Sequence, residues 1–252
     1  MSGNDPNATN RLWWNRESGE YQDRHGDTLA RSPTAWGTWR TPETDLKVLG
    51  ETKDRDVLEF GCGAAQWSSA LAQEGARVVG LDLSEAQLAQ ARRLSTETGI
   101  KVALVQASAE QTPFANASFD VVFCDHGAMS FARPEHTVAE ASRLLRPGGL
   151  LAFCMSTPLR DICWDEASES VEPRLGAAYF DLARIDEEGS VQYQMPYGEW
   201  IRLFRRHSLS VDDLIEIRPP ENAKTTYEDY VSLDWARRWP SDHIWKLSKE
   251  TG

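Results

Sequence analysis

Val57-Leu58-Glu59-Phe60-Gly61-Cys62-Gly63-Ala64-Ala65, with Asp82 placed 19 positions after Gly63 in Val78-Val79-Gly80-Leu81-Asp82-Leu83-Ser84, decides the fold of this chain. A short apolar run of strand length enters a glycine turn, and the turn opens a helix. A second apolar run then ends in a carboxylate. Lacking side chains, Gly61 and Gly63 let a ligand approach the backbone and let the chain take angles that other residues resist. A carboxylate at the end of the neighbouring strand is placed to accept hydrogen bonds from both hydroxyls of a ribose. The two segments describe a pocket for an adenosine-containing ligand.

A dinucleotide site usually reads G-x-G-x-x-G, with a helix N-terminus facing the pyrophosphate. Gln66 occupies the position of the third glycine here, and the local pattern is acid-x-Gly-x-Gly-x-small from Glu59 to Ala65. Glu59 brings negative charge to the turn, which suits a cationic ligand and opposes a pyrophosphate. S-adenosylmethionine, with a sulfonium and an ammonium, fits that electrostatic demand. The plainer reading is that the glycines only make a tight strand-to-helix turn.

Strands and helices alternate from Asp56 onward, the pattern of a parallel sheet covered on both faces. Strands are expected at Asp56–Phe60, Arg77–Asp82, Lys101–Gln106, Phe119–Cys124 and Gly149–Ser156. Helices fall between them at about Ala65–Glu74, Glu85–Thr98 and Pro134–Leu145. Ser84 with Gln87 three positions on is a capping-box signal, Gly99 stops that helix, and Pro147-Gly148-Gly149 is a turn into the fifth strand. Ahead of the core, Met1–Thr9 is polar and reads as a disordered start. Arg11–Leu29 reads as one helix or two short ones, and Thr41 as the N-cap of a helix from Pro42 to about Leu49. After Thr157 the alternation breaks. Pro158–Gln194 is long, acidic and aromatic with little period, as functional or mobile insertions are. An amphipathic helix at Pro196–His207, a strand at Val211–Ile217, a helical Thr225–Arg238 and a short strand at Asp242–Leu247 complete the chain.

Glu59–Ala65, Gly80–Ser84, Ala107–Phe114, Ser118–Phe123 and Arg143–Gly149 together resemble class I S-adenosylmethionine-dependent methyltransferases, and within them the small-molecule branch with bacterial enzymes of natural-product and quinone chemistry. The resemblance runs from about Val48 to Ser156. It implies a Rossmann-like, doubly wound α/β fold with a mostly parallel seven-stranded sheet, N-terminal helices and a lid inserted after the fifth strand. Residues 1–50 would be a helical cap, 51–157 the cofactor-binding core, and 158–252 the lid plus the C-terminal part of the sheet. It implies transfer of a methyl group from S-adenosylmethionine, leaving S-adenosylhomocysteine, to oxygen or nitrogen of a small molecule, with no metal. A fold of this kind that only binds the cofactor, or catalyses another reaction, is the alternative.

In such folds the loops at the carboxyl ends of the strands converge on the ligand. The resemblance places Gly61, Gly63 and Asp125 against the methionine part, Asp82 on the ribose, Leu83 on an adenine face, and Ala109 and Glu110 at the adenine edge. Ser108 stands where the family has an adenine-binding aspartate, so either the serine hydroxyl or Glu110 takes that contact, or adenine is held more weakly. Trp39 is expected at the cofactor, since it precedes the helix that the family lays against it. His126 is the catalytic candidate, because an imidazole titrates near neutrality and can accept a proton from a hydroxyl or amine. Positioning of the acceptor or packing are its other readings, because transfer from a sulfonium can proceed by proximity alone. His25, His136, His207 and His243 read as surface or capping residues.

The balance of 39 acidic against 27 basic residues, a net charge of -12, repels phosphate backbones and anionic lipid. Nucleic acid and membrane are therefore not expected partners; the cluster Arg202, Arg205 and Arg206 reads as a solvated face. A nicotinamide oxidoreductase would need the missing third glycine, and a protein or RNA methyltransferase suits neither the charge nor the lid-like insertion. Cys62, Cys124, Cys154 and Cys163 contain no C-x-x-C and read as buried free thiols in a reducing cytoplasm. No signal-like or membrane-length apolar run occurs, so a cytoplasmic enzyme, monomer or homodimer, is expected. Of the ten tryptophans, Trp13, Trp14, Trp36, Trp39 and Trp164 either line a pocket for a flat acceptor or only pack the lid.

Overall fold

The computed structural model describes residues 5–187 and 189–251. Seven strands form the central sheet: β1 Asp56–Phe60, β2 Arg77–Asp82, β3 Ala103–Gln106, β4 Phe119–Asp125, β5 Leu145–Ser156, β6 Leu209–Glu216 and β7 Asp242–Lys249. Their order is β3-β2-β1-β4-β5-β7-β6. The first five run parallel, and β7 is antiparallel to both neighbours. Because β1 pairs with β2 on one side and β4 on the other, connections leave it in both directions. Their carboxyl ends splay apart at that switch point and open a crevice.

Burial on both faces explains why β1 and β4 are nearly continuous apolar runs, broken in β1 by Glu59: Val57, Leu58, Phe60, Val121, Val122, Phe123 and Cys124 are all inaccessible to solvent. One core layer packs Trp36, Trp67, Val57 and Phe123 beneath the sheet. The other packs Leu58, Val122, Phe153, Trp200, Phe204 and Trp245 above it. The longer helices are α1 Pro6–Arg31, α2 Gln66–Gln73, α3 Glu85–Thr98, α4 Pro134–Leu144 and α5 Tyr197–Arg206. Ser84 Oγ caps α3 by accepting from Gln87 N, and Gly99 ends it in the left-handed conformation, as the sequence predicts.

Several expectations are corrected. The predicted disordered start is helical from Pro6, with Asp5 as N-cap accepting from Asn7 N; residues 1–4 lie outside the described residues. The N-terminal segment is one helix rather than two short ones, and its buried residues, Asn10, Ser18 and His25, are polar. Its docking therefore rests on hydrogen bonds more than on apolar burial, so hydropathy gives little sign of its length. The helix after Thr41 is the single turn Glu43–Leu46, capped at Pro42 rather than Thr41. Pro147–Gly149 is not a separate turn: β5 runs through it, with a register shift opposite Phe119 and Val121. Thr225–Arg238 is mostly irregular, with only Leu233–Ala236 helical. The final strand extends to Lys249.

Pro158–Gln194 is structured without long elements. It holds a helical turn at Pro158–Ile162, a ribbon of Trp164–Asp165 with Ser170–Val171, and a hairpin of Arg184–Glu187 with Ser190–Tyr193. Strands this short carry no readable period. The segment and α1 both lie over the carboxyl end of the sheet. Asn10 joins them: its amide donates to Phe131 O and Val191 O, and its carbonyl accepts from Val191 N.

Candidate active site

A cavity of about 950 Å³ opens at the switch point, beneath α1 and the inserted segment. Its floor is the glycine turn. Gly61 sits at φ 76° and Gly63 at φ 52°, both in the left-handed region. A Cβ on Gly61 would stand 2.5 Å from Ala128 N, and one on Gly127 would stand 2.7 Å from Phe60 O. The loops after β1 and β4 thus touch backbone to backbone, which requires glycine on both sides. Gly61 N and Cys62 N both donate to Leu81 O, tying the turn to β2.

Asp82 ends β2 nine-tenths buried. Its Oδ2 accepts from Gly63 N at 2.8 Å and its Oδ1 from Ser84 N at 2.8 Å. Burial pushes the carboxyl up to about 6, against the lowering pull of these N–H groups. Each oxygen keeps a lone pair for a diol. Glu59 also reaches the cavity, but it is 4% exposed and its Oε2 accepts from both Ser68 N and Ser68 Oγ. Burial pushes this carboxyl up to about 8. Its negative charge, which the sequence reading placed openly at the turn, is therefore held back by a proton at neutral pH unless a cation arrives. Asp125, at the end of β4, accepts from Gly37 N at 2.9 Å and pairs with Arg40 at 3.2 Å.

Leu83, Ser108 and Ala109 line the cavity edge beyond Asp82. Two expected cofactor residues are not there. Glu110 is drawn away into a bidentate pair with Arg133, with His136 nearby, and does not line the cavity. Trp39 is packed with Cys163, Val171 and Trp235, and its Nε1 donates to Ser241 Oγ. Trp36 is likewise core, its Nε1 bonded to Glu43. Trp13, Trp14 and Trp164 do line the cavity.

His126 follows β4 at φ 49°, its N–H held by Cys154 O. Its Nε2 is 3.1 Å from Asp242 Oδ1, close enough for charge attraction though misaligned for a hydrogen bond. Burial alone would lower the imidazole, but Asp242, reinforced by Asp125, outweighs it and holds His126 above its ordinary value. Asp242 is fully buried and is fixed by Thr38 Oγ1 at 2.6 Å and Tyr230 OH at 2.8 Å. Sequence reasoning missed this carboxylate, since it lies 116 positions from His126 and no spacing rule links them. The only signal was an acid at the start of a strand that carries Ile244, Trp245 and Leu247.

Arg160 is sandwiched between Trp164 and Tyr230, at 5.1 and 4.5 Å from the ring centres. His25, expected at the surface, is buried against Tyr227 in a stack at 4.1 Å and faces the cavity. Burial pushes it down to about 4. His243 is also buried, pushed down to about 3, and lies outside the cavity. His207 caps α5 as expected. The four cysteines are free and buried.

This donor set fits S-adenosylmethionine: a carboxylate for the diol, an apolar shelf of Leu83 and Ala109 for a base, and a buried acid ready to ionise beside a cation. It does not fit a pyrophosphate, which would face Asp82, Glu59 and Asp125 together. Asp125, His126 and Cys154 bring donor atoms within 4.8 Å of one another. Arg40 and Asp242 already engage two of the three, and burial holds the Cys154 thiol protonated. The cluster is a poor metal site.

Strand order, glycine turn and ribose-side carboxylate together define a Rossmann-like, doubly wound α/β fold with a nucleoside-type site at its switch point. Residues 58–153 match the family described as Methyltransferase domain. Among curated proteins, the chain is 36% identical over 138 residues to a ubiquinone biosynthesis O-methyltransferase of Pseudomonas paraeruginosa, a match covering 54% of each protein. The chain thus spans about half the length of the curated relatives it matches. Among solved structures it resembles an S-adenosylmethionine dependent methyltransferase from Mesorhizobium loti, with TM-score 0.66 and 19% identity over 81% of this chain and 95% of that one. It also resembles the 4+2 cyclase SpnF, with TM-score 0.60 and 17% identity over 94% of this chain and 97% of that one. No helix among the described residues is long and apolar enough to cross a membrane.

Proposed function

We propose that this chain transfers a methyl group from S-adenosylmethionine to a small-molecule acceptor, at oxygen in the first instance. The observation that carries the reading is the continuity of one cavity from Asp82 and Leu83, past the glycine turn, to His126, Arg160 and Tyr230. One end suits a nucleoside, the other suits an acceptor, and the loop after β4 lies between them. S-adenosylmethionine, when bound, supplies a methyl group activated on a cationic sulfur with a neutral leaving group. The chain's own residues supply position and proton handling. The Gly61–Gly127 contact holds the two loops in register. Tyr227, Tyr230 and Trp164 offer flat faces to the acceptor. Neutral His126 accepts the acceptor's proton, and buried Asp242, anchored by Thr38 and Tyr230, orients the ring and stabilises the imidazolium that forms. An O-methyltransferase name among the relatives supports oxygen over nitrogen.

The N-terminal cap and the 158–194 segment form the acceptor end, while the net charge argues against nucleic acid and lipid as partners. A cytoplasmic monomer or homodimer accords with the composition. The test is formation of S-adenosylhomocysteine on incubation with S-adenosylmethionine and a panel of phenols, catechols and hydroxy acids. Acceptor-dependent product confirms methyl transfer. Binding of S-adenosylhomocysteine with no turnover on any acceptor would instead support a non-methylating role.

A further inference from the structure

Among the described residues, no acid of the loop after β3 lines the nucleoside end of the cavity. Asp82 ends β2, and a base carried by the ribose there would extend toward the adjacent loop after β3, between Leu83 and Ala109. Glu110, the carboxylate nearest in sequence, is withdrawn into Arg133. The side chain that closes this edge comes instead from α1: Asn7, in its first turn, lines the cavity and accepts from Ser108 Oγ at 3.0 Å. The Asn7 amide also helps hold the Glu110 carboxylate down. A carboxamide has two N–H donors and two acceptor lone pairs, so one donor and one lone pair are left after these contacts. An adenine edge offers the complementary pair, an exocyclic amine beside a ring nitrogen, which asparagine can bind through two hydrogen bonds.

Asn7 does not stand alone on its helix. Asn10 ties α1 to Phe131 and Val191, and Asn15 accepts from Ser84 Oγ and Ala86 N beside the ribose acid. Three asparagines thus fasten the helix to four segments around the cavity, in a docking face whose fully buried residues are polar.

We propose that Asn7, positioned by Ser108, reads the adenine edge, so that the N-terminal helix is the base-recognition element as well as the lid. The proposal rests on the cavity being an S-adenosylmethionine site. Docking of α1 then depends on which base is present, and S-adenosylhomocysteine reports on it without turnover.

The experiment is calorimetric titration of the full chain with S-adenosylhomocysteine and with S-inosylhomocysteine, in which the exocyclic amine is replaced by a carbonyl oxygen. Wild type should prefer the adenosyl ligand by about tenfold or more. Asn7→Ala should lose about tenfold in affinity for it and most of the preference. Asn10→Ala, which loosens the helix without touching the base edge, should weaken both ligands alike and keep the preference. Hydrogen exchange should show α1 more protected by the adenosyl than by the inosyl ligand in wild type, and equally protected in Asn7→Ala. An Asn7→Ala protein with unchanged affinity and preference would overturn the proposal while leaving the cofactor assignment standing. A wild-type chain that binds neither ligand would overturn both.

Discussion

Glu59→Gln separates the two roles that burial gives this carboxyl. Glutamine keeps the shape and the acceptor that takes the two bonds from Ser68, and mimics the protonated acid. With the folded value near 8 against about 4.5 in the unfolded chain, the proton favours the folded state. The stability associated with it is fully present below pH 4.5 and is lost as pH rises through 8, a change on the order of 4 kcal/mol. The unliganded variant should match wild type near pH 4.5 and exceed it progressively toward pH 8.5, measured as urea midpoints at each pH. Cofactor binding should behave in the opposite sense. If the ligand's cation requires ionised Glu59, wild-type affinity for S-adenosylmethionine should rise about fifteenfold from pH 6.5 to 8 and then level, with close to one proton released per ligand at pH 7. Calorimetry in two buffers of different ionisation enthalpy reads that proton directly. Glu59→Gln should bind more weakly, release no such proton and lose this part of the pH dependence. A wild-type affinity flat across this range, without proton release, would refute a cation-sensing role for Glu59.

Asp82→Ala should weaken S-adenosylhomocysteine binding by roughly 2–3 kcal/mol through loss of charge-assisted bonds, checked by calorimetry. His126→Ala should lower turnover by about 100-fold with cofactor affinity nearly unchanged, the loss shrinking at high pH where the acceptor ionises unaided. Asp242→Asn removes the charge that raises His126, so the rising limb of the pH–rate profile should move to lower pH; an unmoved limb would exclude Asp242 as its partner. Gly61→Ala should destabilise by roughly 2–4 kcal/mol, since its Cβ would meet Ala128 N at 2.5 Å on a left-handed backbone; thermal melting tests it.

The alternating core was legible because each of its signals is local. Buried strands are short apolar runs, Gly61 and Gly63 mark a turn, and Ser84 and Gly99 mark helix ends, so Asp56 to Ser156 could be read within a residue or two at most boundaries. Asp82, Leu83 and Ala109 could be named for the same reason: strand polarity places their loops at one end of the sheet. The first turn of α1 was misread because its inner face is polar, and the inserted segment because two- and four-residue strands have no period. Tertiary structure alone decided which side chains face the cavity. Trp39 and Glu110 carry the right chemistry at nearly the right positions, yet Ser241 and Arg133, distant in sequence, turn them elsewhere. Asp242 and Asn7 joined the site from β7 and α1, because antiparallel insertion of β7 beside β5 and docking of α1 across the open strand ends close distances that no local pattern encodes.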